Sequence, residues 1–207
     1  MPKSSQLEQQ ILQAAEELFM EKGYDATSTT DIAKRVGCNQ ALVHYYYRTK
    51  DKLFQQIFLA KTQLIFSYIS ADNQLELKFE EALAKFIDNY FEMLMQNRQL
   101  PFFLIKELIL NEKRRNEMRL QMLQSAEKLG YYAHWDRMVK AEIAAGNIRE
   151  IQTMDLTLDV LSLIIFTFIS LPLYSDLFQQ NEVQIQQYLQ RRKSEIKILI
   201  MNGLKVN

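Results

Sequence analysis

The residues best suited to bind another molecule are concentrated between Ser28 and Lys52. A histidine and three consecutive tyrosines, residues 44–47, lie here among five basic side chains: Lys34, Arg35, Arg48, Lys50 and Lys52. Two acidic residues, Asp31 and Asp51, oppose them, so the stretch has a formal charge of +3 in a chain of net charge zero. Such a focused charge would attract a polyanion such as nucleic acid with modest non-specific affinity, whereas a solvated helix face could carry the same charge.

Two short helices are predicted on either side of Gly37. Ser28 and Asp31 have the spacing of a capping box, and the helix that they open would end at Gly37, because glycine adopts the left-handed conformation without a steric penalty. Asn39 is a candidate N-cap for the next helix. Two short helices joined by a turn with glycine are typical of the helix-turn-helix, whose second helix enters the major groove of DNA. Three-helix units also serve as plain packing modules.

The stretch GYDATSTTDIAKRVGCNQALVHYYYRTKDKLF, residues 23–54, has a recognisable order of features. A glycine-aromatic pair ends the first helix, a threonine-rich start opens the second, and an Ile-Ala pair precedes Gly37. The next helix ends in aromatic residues, and a Thr-Lys pair opens the fourth. In this order and spacing the stretch resembles the N-terminal domain of TetR-family transcriptional regulators. The resemblance implies a DNA-binding domain at residues 1–52 and a larger effector-binding and dimerisation domain at residues 53–207.

The resemblance also implies roles for individual side chains in DNA binding. Phosphate contacts are expected from Thr29, Thr30, Tyr45, Tyr46 and Lys50, and base readout from Gln40, Ala41 and His44. These types suit the task, because glutamine can pair with a base through two hydrogen bonds and alanine can contact a thymine methyl group. Many family members have glycine in place of Ala41 and tyrosine in place of His44, so the operator sequence does not follow. Tyr47 takes the family's inward aromatic position.

The rest of the chain is predicted to be helical. Five glycines and three prolines are few for 207 residues, and the alternation typical of strands is nearly absent. The fold class is therefore all-α with about nine helices: an N-terminal three-helix domain with the helix-turn-helix, joined by a continuous fourth helix to a larger helical domain. The predicted helices lie at about 6–22, 28–36 and 39–47, then from Lys50 onward, and at about 75–96, 101–113, 117–145, 155–178 and 183–203.

The helix predicted at 155–178 is apolar on nearly every side, which a surface helix of a monomer would not be. The next helix has an apolar stripe. Together they predict a two-fold four-helix interface, as the resemblance implies, to which we assign Leu161, Ile165, Phe168, Ile185, Tyr188, Leu189, Ile196 and Leu199. The alternative is that the first of these helices forms the centre of a monomeric core. Pro172 is expected to kink or end it.

An effector site is expected among the aromatic residues of the second domain. The candidates for a pocket that takes a small apolar or aromatic molecule are Phe103, Tyr131, His134, Trp135 and Phe166. Tyr, Trp and His could also orient a guest through their polar atoms. Aromatic residues at helical spacing more often belong to the hydrophobic core, so each candidate could instead be a core residue.

Catalysis finds little support in the sequence. The two histidines, His44 and His134, lie far apart, and no metal-binding histidine pair, glycine-rich phosphate loop or nucleophile elbow occurs, so no metal or cofactor is expected. The single cysteine, Cys38, is expected to be a buried packing thiol in a reducing compartment. The N-terminus lacks the apolar run of a secretory signal, and the longest uncharged stretch, residues 160–175, is shorter than the roughly 20 residues of a membrane span. A cytoplasmic protein without membrane contact is predicted.

The sequence thus predicts a homodimeric, DNA-binding transcriptional regulator, a repressor that binds a palindromic operator and is released by a small-molecule effector. Two alternatives stay open. One is an architectural or cell-division factor of the same fold that binds DNA without an effector. The other is a helical ligand-binding protein or enzyme whose three-helix domain no longer binds DNA.

Overall fold

The computed structural model describes residues 3–70, 77–109, 112, 115–116 and 130–206. Across these ranges the chain forms helices and no strand, which confirms the all-α fold class. The start of the helix predicted at 117–145 lies outside the described residues. The helices are α1 (Lys3–Lys22), α2 (Thr29–Val36), α3 (Gln40–Tyr47), α4 (Lys50–Ser70), α5 (Phe79–Gln96), α6 (Leu100–Leu108), α7 (Tyr131–Ala144), α8 (Thr153–Leu177) and α9 (Glu182–Gly203).

The described residues form two compact units. The first contains α1, α2, α3, most of α4 and most of α6, and the second contains α5, α7, α8 and α9. Both α4 and α6 contribute residues to each unit. Since α4 is one unbroken helix that extends from the first unit into the second, the predicted continuous fourth helix is confirmed. The predicted domain boundary after residue 52 lies within α4 and stays a prediction.

The core of the first unit forms where α1 packs against the three helices that follow it. α1 begins at Lys3, slightly earlier than predicted, and buries one apolar face. Burial of a large apolar side chain contributes about 1.5–3 kcal/mol, so packing rather than helix propensity stabilises the short helices α2 and α3. The buried side chains of these helices are Ile11, Ala14, Ala15, Leu18, Phe19, Ile32, Ala33, Val43, Tyr47, Leu53, Phe54, Ile57 and Phe58.

The start of α2 is the predicted capping box. The Ser28 hydroxyl accepts a hydrogen bond from the Asp31 backbone N–H at 3.0 Å, and the Asp31 carboxylate accepts from the Ser28 backbone N–H at 3.0 Å. The hydrogen bonds that Ser28 donates, first from its backbone and then from its hydroxyl, lower the pKa of the Asp31 carboxyl. The Asp31 carboxylate is therefore charged at neutral pH. The contribution of the capping box to stability declines as the pH falls below the ordinary carboxyl range and Asp31 becomes protonated.

The turn between α2 and α3 is made by Gly37 in the left-handed conformation, with φ +76°. The backbone N–H groups of Gly37 and Cys38 donate to the carbonyl oxygens of Lys34 and Ala33 at 3.3 and 2.9 Å, the hydrogen-bond pattern of the Schellman motif. Cys38 is half-buried rather than buried as predicted, because it lies in this turn. Asn39 then caps α3 as expected.

The junction between α3 and α4 is a tight turn at a residue with a side chain. Arg48 has φ +62° and ψ −54°, and the backbone N–H of Thr49 donates to the carbonyl oxygen of Tyr47 at 2.6 Å. These angles and this hydrogen bond define a γ-turn with positive φ, a rare and strained conformation for an L-residue. Only Arg48 and Thr49 therefore separate α3 from α4.

In the second unit α5 packs against α8 and α9. Its apolar side chains, among them Leu83, Ile87 and Phe91, are almost fully buried, and the ring centroid of Phe91 lies 5.0 Å from that of Phe168 on α8. Partly exposed ion pairs also align α9 with α5 and the turn after it, and each of them contributes at most about 1 kcal/mol. They are Lys193 with Glu92 at 2.5 Å, Lys197 with Asp88 at 2.9 Å and Arg98 with Glu182 at 2.6 Å.

The most apolar helix is α8. It continues through Pro172 to Leu177, so this proline does not end it. By length and composition alone α8 could cross a membrane, a property that core helices of soluble proteins share, and 33% of its most apolar window is buried within the described chain. The remainder of the helix therefore presents apolar side chains on the surface of the second unit.

The strained turn at Arg48 gives a stability prediction. We expect the free energy of unfolding of Arg48→Gly to be about 1 kcal/mol higher than that of Arg48→Ala. A Cβ at positive φ costs about 1–2 kcal/mol, which glycine avoids, and the extra freedom of glycine in the unfolded chain offsets part of this stabilisation. Both variants lose the guanidinium group, so the difference between them reports the effect of the backbone conformation at residue 48. Urea denaturation followed by circular dichroism measures it. Equal stability of the two variants would show that the turn is not strained in solution.

Candidate DNA-binding surface

α3 has one buried and one exposed side. Val43 and Tyr47 are buried, and the Tyr47 hydroxyl donates to the backbone carbonyl of Glu8 at 3.0 Å. Burial, and after it the nearby Glu8 carboxylate, raises the pKa of Tyr47 to about 12, so the phenol stays protonated and keeps its hydrogen bond at neutral pH. The predicted inward position of Tyr47 is confirmed. The exposed side presents Gln40, Ala41, His44 and Tyr45.

Two of the predicted base-reading residues belong to one hydrogen-bonded group. Gln40 Nε2 donates to Thr29 Oγ1 at 2.8 Å and lies 3.4 Å from His44 Nε2. On its other side, His44 Nδ1 lies 3.2 Å from the backbone oxygen of Arg48. The structure thus joins α3 to the start of α2 through polar side chains, whose roles in DNA binding stay predictions. Ala41 adds a small exposed methyl group to the same helix.

The predicted phosphate-binding hydroxyl groups lie along the same surface. Tyr45 is 68% exposed, and its ring contacts that of half-buried Tyr46 edge-on at 5.2 Å. In the first turn of α2, Thr30 is exposed and Thr29 is half-buried. Hydroxyl groups beside a helix N-terminus suit phosphate binding, because the unpaired backbone N–H groups there also attract an anion. The arrangement is compatible with the predicted contacts and does not test them.

Lys50 has a structural role that the sequence does not reveal. Its ammonium group donates to the backbone oxygens of Tyr24 and Thr27 at 3.0 and 2.8 Å and lies 4.0 Å from the centroid of the Tyr24 ring. The next residue, Asp51, accepts a hydrogen bond from the Tyr24 hydroxyl. The start of α4 thereby holds the loop between α1 and α2. With two of its three N–H groups so engaged, Lys50 can still offer the third to a phosphate.

Part of the local positive charge is neutralised within the first unit. Arg35 pairs with Glu21 at 3.0 Å and with Glu17 at 3.3 Å on α1. Its hydrogen bond with Glu21 raises the pKa of Arg35 and lowers the pKa of Glu21. The field near the exposed side of α3 therefore depends mainly on the exposed basic side chains Lys34, Arg48 and Lys52.

Of the residues predicted to bind an effector, Phe103 lies in the first unit. It is buried, and its ring centroid is 5.7 Å from that of Phe54 and 6.1 Å from that of Phe58, both on α4. On the same helix, Lys106 donates to the backbone oxygen of Lys22 at the end of α1 with a distance of 3.3 Å. α6 thus contacts α1 and α4 through residues that the sequence did not connect, because they lie far apart along the chain.

The other predicted effector residues lie in the second unit. Trp135 is buried and stacks on Phe79 at a centroid distance of 5.4 Å. His134 is half-buried and Phe166 is 66% exposed. The side chain of Tyr131 lies outside the described residues. The predicted set is divided between the two units, and its role in effector binding stays a prediction.

The residues predicted for a dimer interface fall into two groups. Four of them pack inside the second unit rather than offering surface to a partner: Phe168, Ile185, Leu189 and Ile196. Leu161, Ile165 and Tyr188 are half-buried and Leu199 is 52% exposed. The sequence did not single out further exposed apolar side chains of α8, because a helix that is apolar all round gives no signal for its inner face. They are Leu158, Leu173 and Leu177, together with Phe166.

Comparison with known proteins places the first unit in a family. Residues 11–57 match the model of bacterial regulatory proteins of the tetR family. A fatty acid metabolism regulator protein of Bacillus subtilis is 25% identical over 141 residues, which cover 68% of this chain and 70% of that protein. The transcriptional regulator QacR of Staphylococcus aureus is 39% identical over 51 residues, which cover 25% of this chain and 27% of that protein.

Solved structures share the fold along nearly the whole chain. A Clostridium perfringens protein named as a fatty acid metabolism regulator has a TM-score of 0.72 and 22% identity, with 96% of this chain and 100% of that chain covered. The transcriptional regulator FadR from Bacillus subtilis, in complex with stearoyl-CoA, has a TM-score of 0.65 and 21% identity, with 95% and 98% covered. At these identities the likeness shows the fold alone.

The helix-turn-helix, its exposed helix α3 and the two-unit helical fold define a DNA-binding transcription regulator. Residues 11–57 of the chain match the tetR family of bacterial regulatory proteins, so the predicted resemblance to that family is confirmed. The family and the matched proteins are transcription regulators rather than enzymes.

The contacts of Lys50 predict that its substitution will lower the stability of the protein. Lys50→Met should lower the free energy of unfolding by about 1.5–3 kcal/mol, because two carbonyl groups lose a charged donor. Lys52→Met, at an exposed neighbouring position, removes the same charge and should change stability by less than about 0.5 kcal/mol. Urea denaturation tests the pair. If both variants are equally stable, Lys50 does not hold the loop between α1 and α2.

Proposed function

We propose that the chain is a repressor that binds a palindromic operator as a homodimer and releases it when an acyl-CoA binds. The observation that carries the DNA-binding part is α3, which buries Val43 and Tyr47 and leaves Gln40, Ala41 and His44 exposed together. In this proposal residues 1–52 form the DNA-binding domain and residues 53–207 the regulatory domain. The protein acts in the cytoplasm, where operator and effector are both accessible.

The DNA-binding roles follow the exposure of the side chains. Gln40, Ala41 and His44 face base edges in the major groove, because they lie in the first turns of the second helix of the helix-turn-helix. Hydroxyl groups at the start of α2 and on Tyr45 and Tyr46 contact phosphates on either side. Lys50 adds one ammonium N–H to these contacts while it supports the loop. The partial neutralisation of the local charge by Glu17 and Glu21 keeps non-specific affinity modest.

The effector class is proposed from the extent of the similarity. The match to QacR spans 51 residues, about the size of the DNA-binding domain alone. The match to the Bacillus subtilis fatty acid metabolism regulator spans 141 residues and therefore extends well into the region that we assign to the effector. FadR of the same fold was solved with stearoyl-CoA. The acyl chain of a long-chain acyl-CoA fits the apolar effector expected from the sequence, whereas its coenzyme A part is larger and charged. The regulated genes would belong to fatty acid metabolism.

The dimer is proposed from the exposed apolar surface of α8 and α9. Leu158, Phe166 and Leu173 lie on α8 with exposed fractions of 54, 66 and 64%. Several large apolar side chains exposed on one helix are typical of an interaction surface, whereas a monomer usually exposes such residues singly. Phe166 also lines a cleft of about 380 Å³ shared with Tyr188 and Arg191 of α9. A second copy related by a two-fold axis would cover both helices, and a two-fold dimer matches the symmetry of a palindromic operator.

Coupling between effector and operator would use the helices that belong to both units. α6 reaches the first unit with Phe103, which packs on α4, and with Lys106, which binds the end of α1. A shift of α6 on effector binding would therefore disturb its packing on α4 and its contact with the end of α1. Since half-sites lie about 34–36 Å apart, a small rotation of one DNA-binding domain is enough to spoil the fit of the dimer.

Stearoyl-CoA tests the proposed effector. It should weaken binding to the selected operator by about 5- to 150-fold, the usual range for allosteric coupling, and should raise the melting temperature of the protein. Free coenzyme A and stearate are the matched controls, each with one half of the molecule, and both should act more weakly. Fluorescence anisotropy with labelled operator measures the effect. No change in operator affinity and no thermal stabilisation would exclude acyl-CoA as the effector.

Phe166→Glu tests the proposed interface. The charge should separate the dimer into monomers in analytical ultracentrifugation and weaken binding to the full palindrome by at least about tenfold, because burial of an unpaired carboxylate costs several kcal/mol. Val206→Glu is the control, since Val206 is 57% exposed near the C-terminus, outside this surface. A Phe166→Glu protein that stays dimeric would place the interface elsewhere.

A further inference from the structure

The hydrogen bonds around His44 determine which of its ring nitrogens carries a proton. His44 Nδ1 lies 3.2 Å from the carbonyl oxygen of Arg48, and a carbonyl oxygen can only accept, so Nδ1 is the donor. In a neutral imidazole the other nitrogen is then an acceptor. His44 Nε2 therefore accepts from the amide nitrogen of Gln40, 3.4 Å away. The carbonyl of Arg48 in this way sets the orientation of the Gln40 amide.

The amide nitrogen of Gln40 has a second acceptor in the protein. It donates to Thr29 Oγ1 at 2.8 Å. An amide nitrogen has two hydrogens, and both are directed to protein acceptors, one on Thr29 and one on His44. Within the part of the chain that the structure describes, no group donates to Gln40 Oε1. This oxygen is the polar atom that exposed Gln40 can offer to a ligand.

We propose that Gln40 reads the operator as a hydrogen-bond acceptor alone, held in that orientation by Thr29 and His44 as positioning residues. The inference rests on the proposed function, because it requires that Gln40 faces the major groove. A free glutamine pairs with adenine through two hydrogen bonds, accepting from N6 and donating to N7. Gln40 accepts from an exocyclic amino group, N6 of adenine or N4 of cytosine, and leaves the purine N7 without a partner from its amide.

The same geometry gives Thr29 two partners at once. Its oxygen accepts from Gln40, so its hydroxyl hydrogen remains available to a phosphate oxygen. Phosphate binding by Thr29 and base reading by Gln40 then belong to one chain of hydrogen bonds that ends at the turn residue Arg48. Substitution of either positioning residue should change which groups of the base matter, and not only how tightly the DNA is bound.

The test removes single groups from the bases of the selected operator. It is run at about pH 8, at the base pair whose preference is lost in Gln40→Ala. Loss of the amino group, with purine for adenine or pyrimidin-2-one for cytosine, should weaken binding by about 2- to 12-fold per half-site, as expected for one hydrogen bond. Loss of N7, with 7-deazaadenine or 7-deazaguanine, should change affinity by less than about twofold. The Gln40→Ala protein should not distinguish these duplexes.

His44→Phe makes the matched change in the protein. It removes the Nε2 acceptor, so one amide hydrogen of Gln40 becomes free to reach N7, and the 7-deaza duplexes should now bind more weakly than the natural operator. If His44 had only a structural role, its substitution would weaken binding to all duplexes alike. Tyr132→Phe, at an exposed position on α7, is the control and should bind like the wild-type protein.

The outcomes separate this inference from the proposed function. If wild-type protein loses as much affinity with the 7-deaza purines as with the bases that lack an amino group, Gln40 also donates and the inference is wrong. If Gln40→Ala leaves every base preference unchanged, Gln40 does not read DNA and the inference fails while operator binding stands. A wild-type protein that selects no sequence would instead overturn the proposed function, and this inference with it.

Discussion

The burial of Val43 and Tyr47 on one side of an eight-residue helix is the constraint on which the DNA-binding surface depends. An isolated helix of this length is unstable in water, so α3 persists only because that side packs on the core. The hydrogen bond from the Tyr47 hydroxyl to Glu8 fixes the rotation of the helix about its axis. Residues four positions apart share a side of a helix, so Gln40 and His44 lie together, and both are exposed beside the buried stripe. The side of α3 that packs therefore determines the side that can read DNA.

Neighbouring elements contact α3 at both of its ends. At its start, Gln40 is tied to Thr29 on α2, and at its end the turn at Arg48 leads into α4. Lys50 then connects α4 to the loop before α2. Residues that are predicted to bind DNA thus also make structural contacts. α6 packs on α4 through Phe103, and its described contacts include none of the predicted reading residues.

Features set by neighbouring residues could be predicted from the sequence. The capping box of Ser28 and Asp31 and the left-handed Gly37 are local, and both are present as expected. The hydrogen bond of Lys50 with Thr27 and the packing of Phe103 on Phe54 join residues that lie 23 and 49 positions apart. No local sequence pattern predicts such contacts. The apolar surface of α8 could be predicted only in part, because its inner face is decided by α5 and α9 rather than by its own sequence.

In the proposed complex, two copies of the exposed side of α3 read adjacent major grooves. Selection of randomised duplex DNA by the purified wild-type protein tests this arrangement. The selected sequences should share a palindromic motif whose half-sites are centred about 10 base pairs, or a multiple of one helical turn, apart. Failure to enrich any sequence at low salt, or enrichment of a motif without two-fold symmetry, would contradict it.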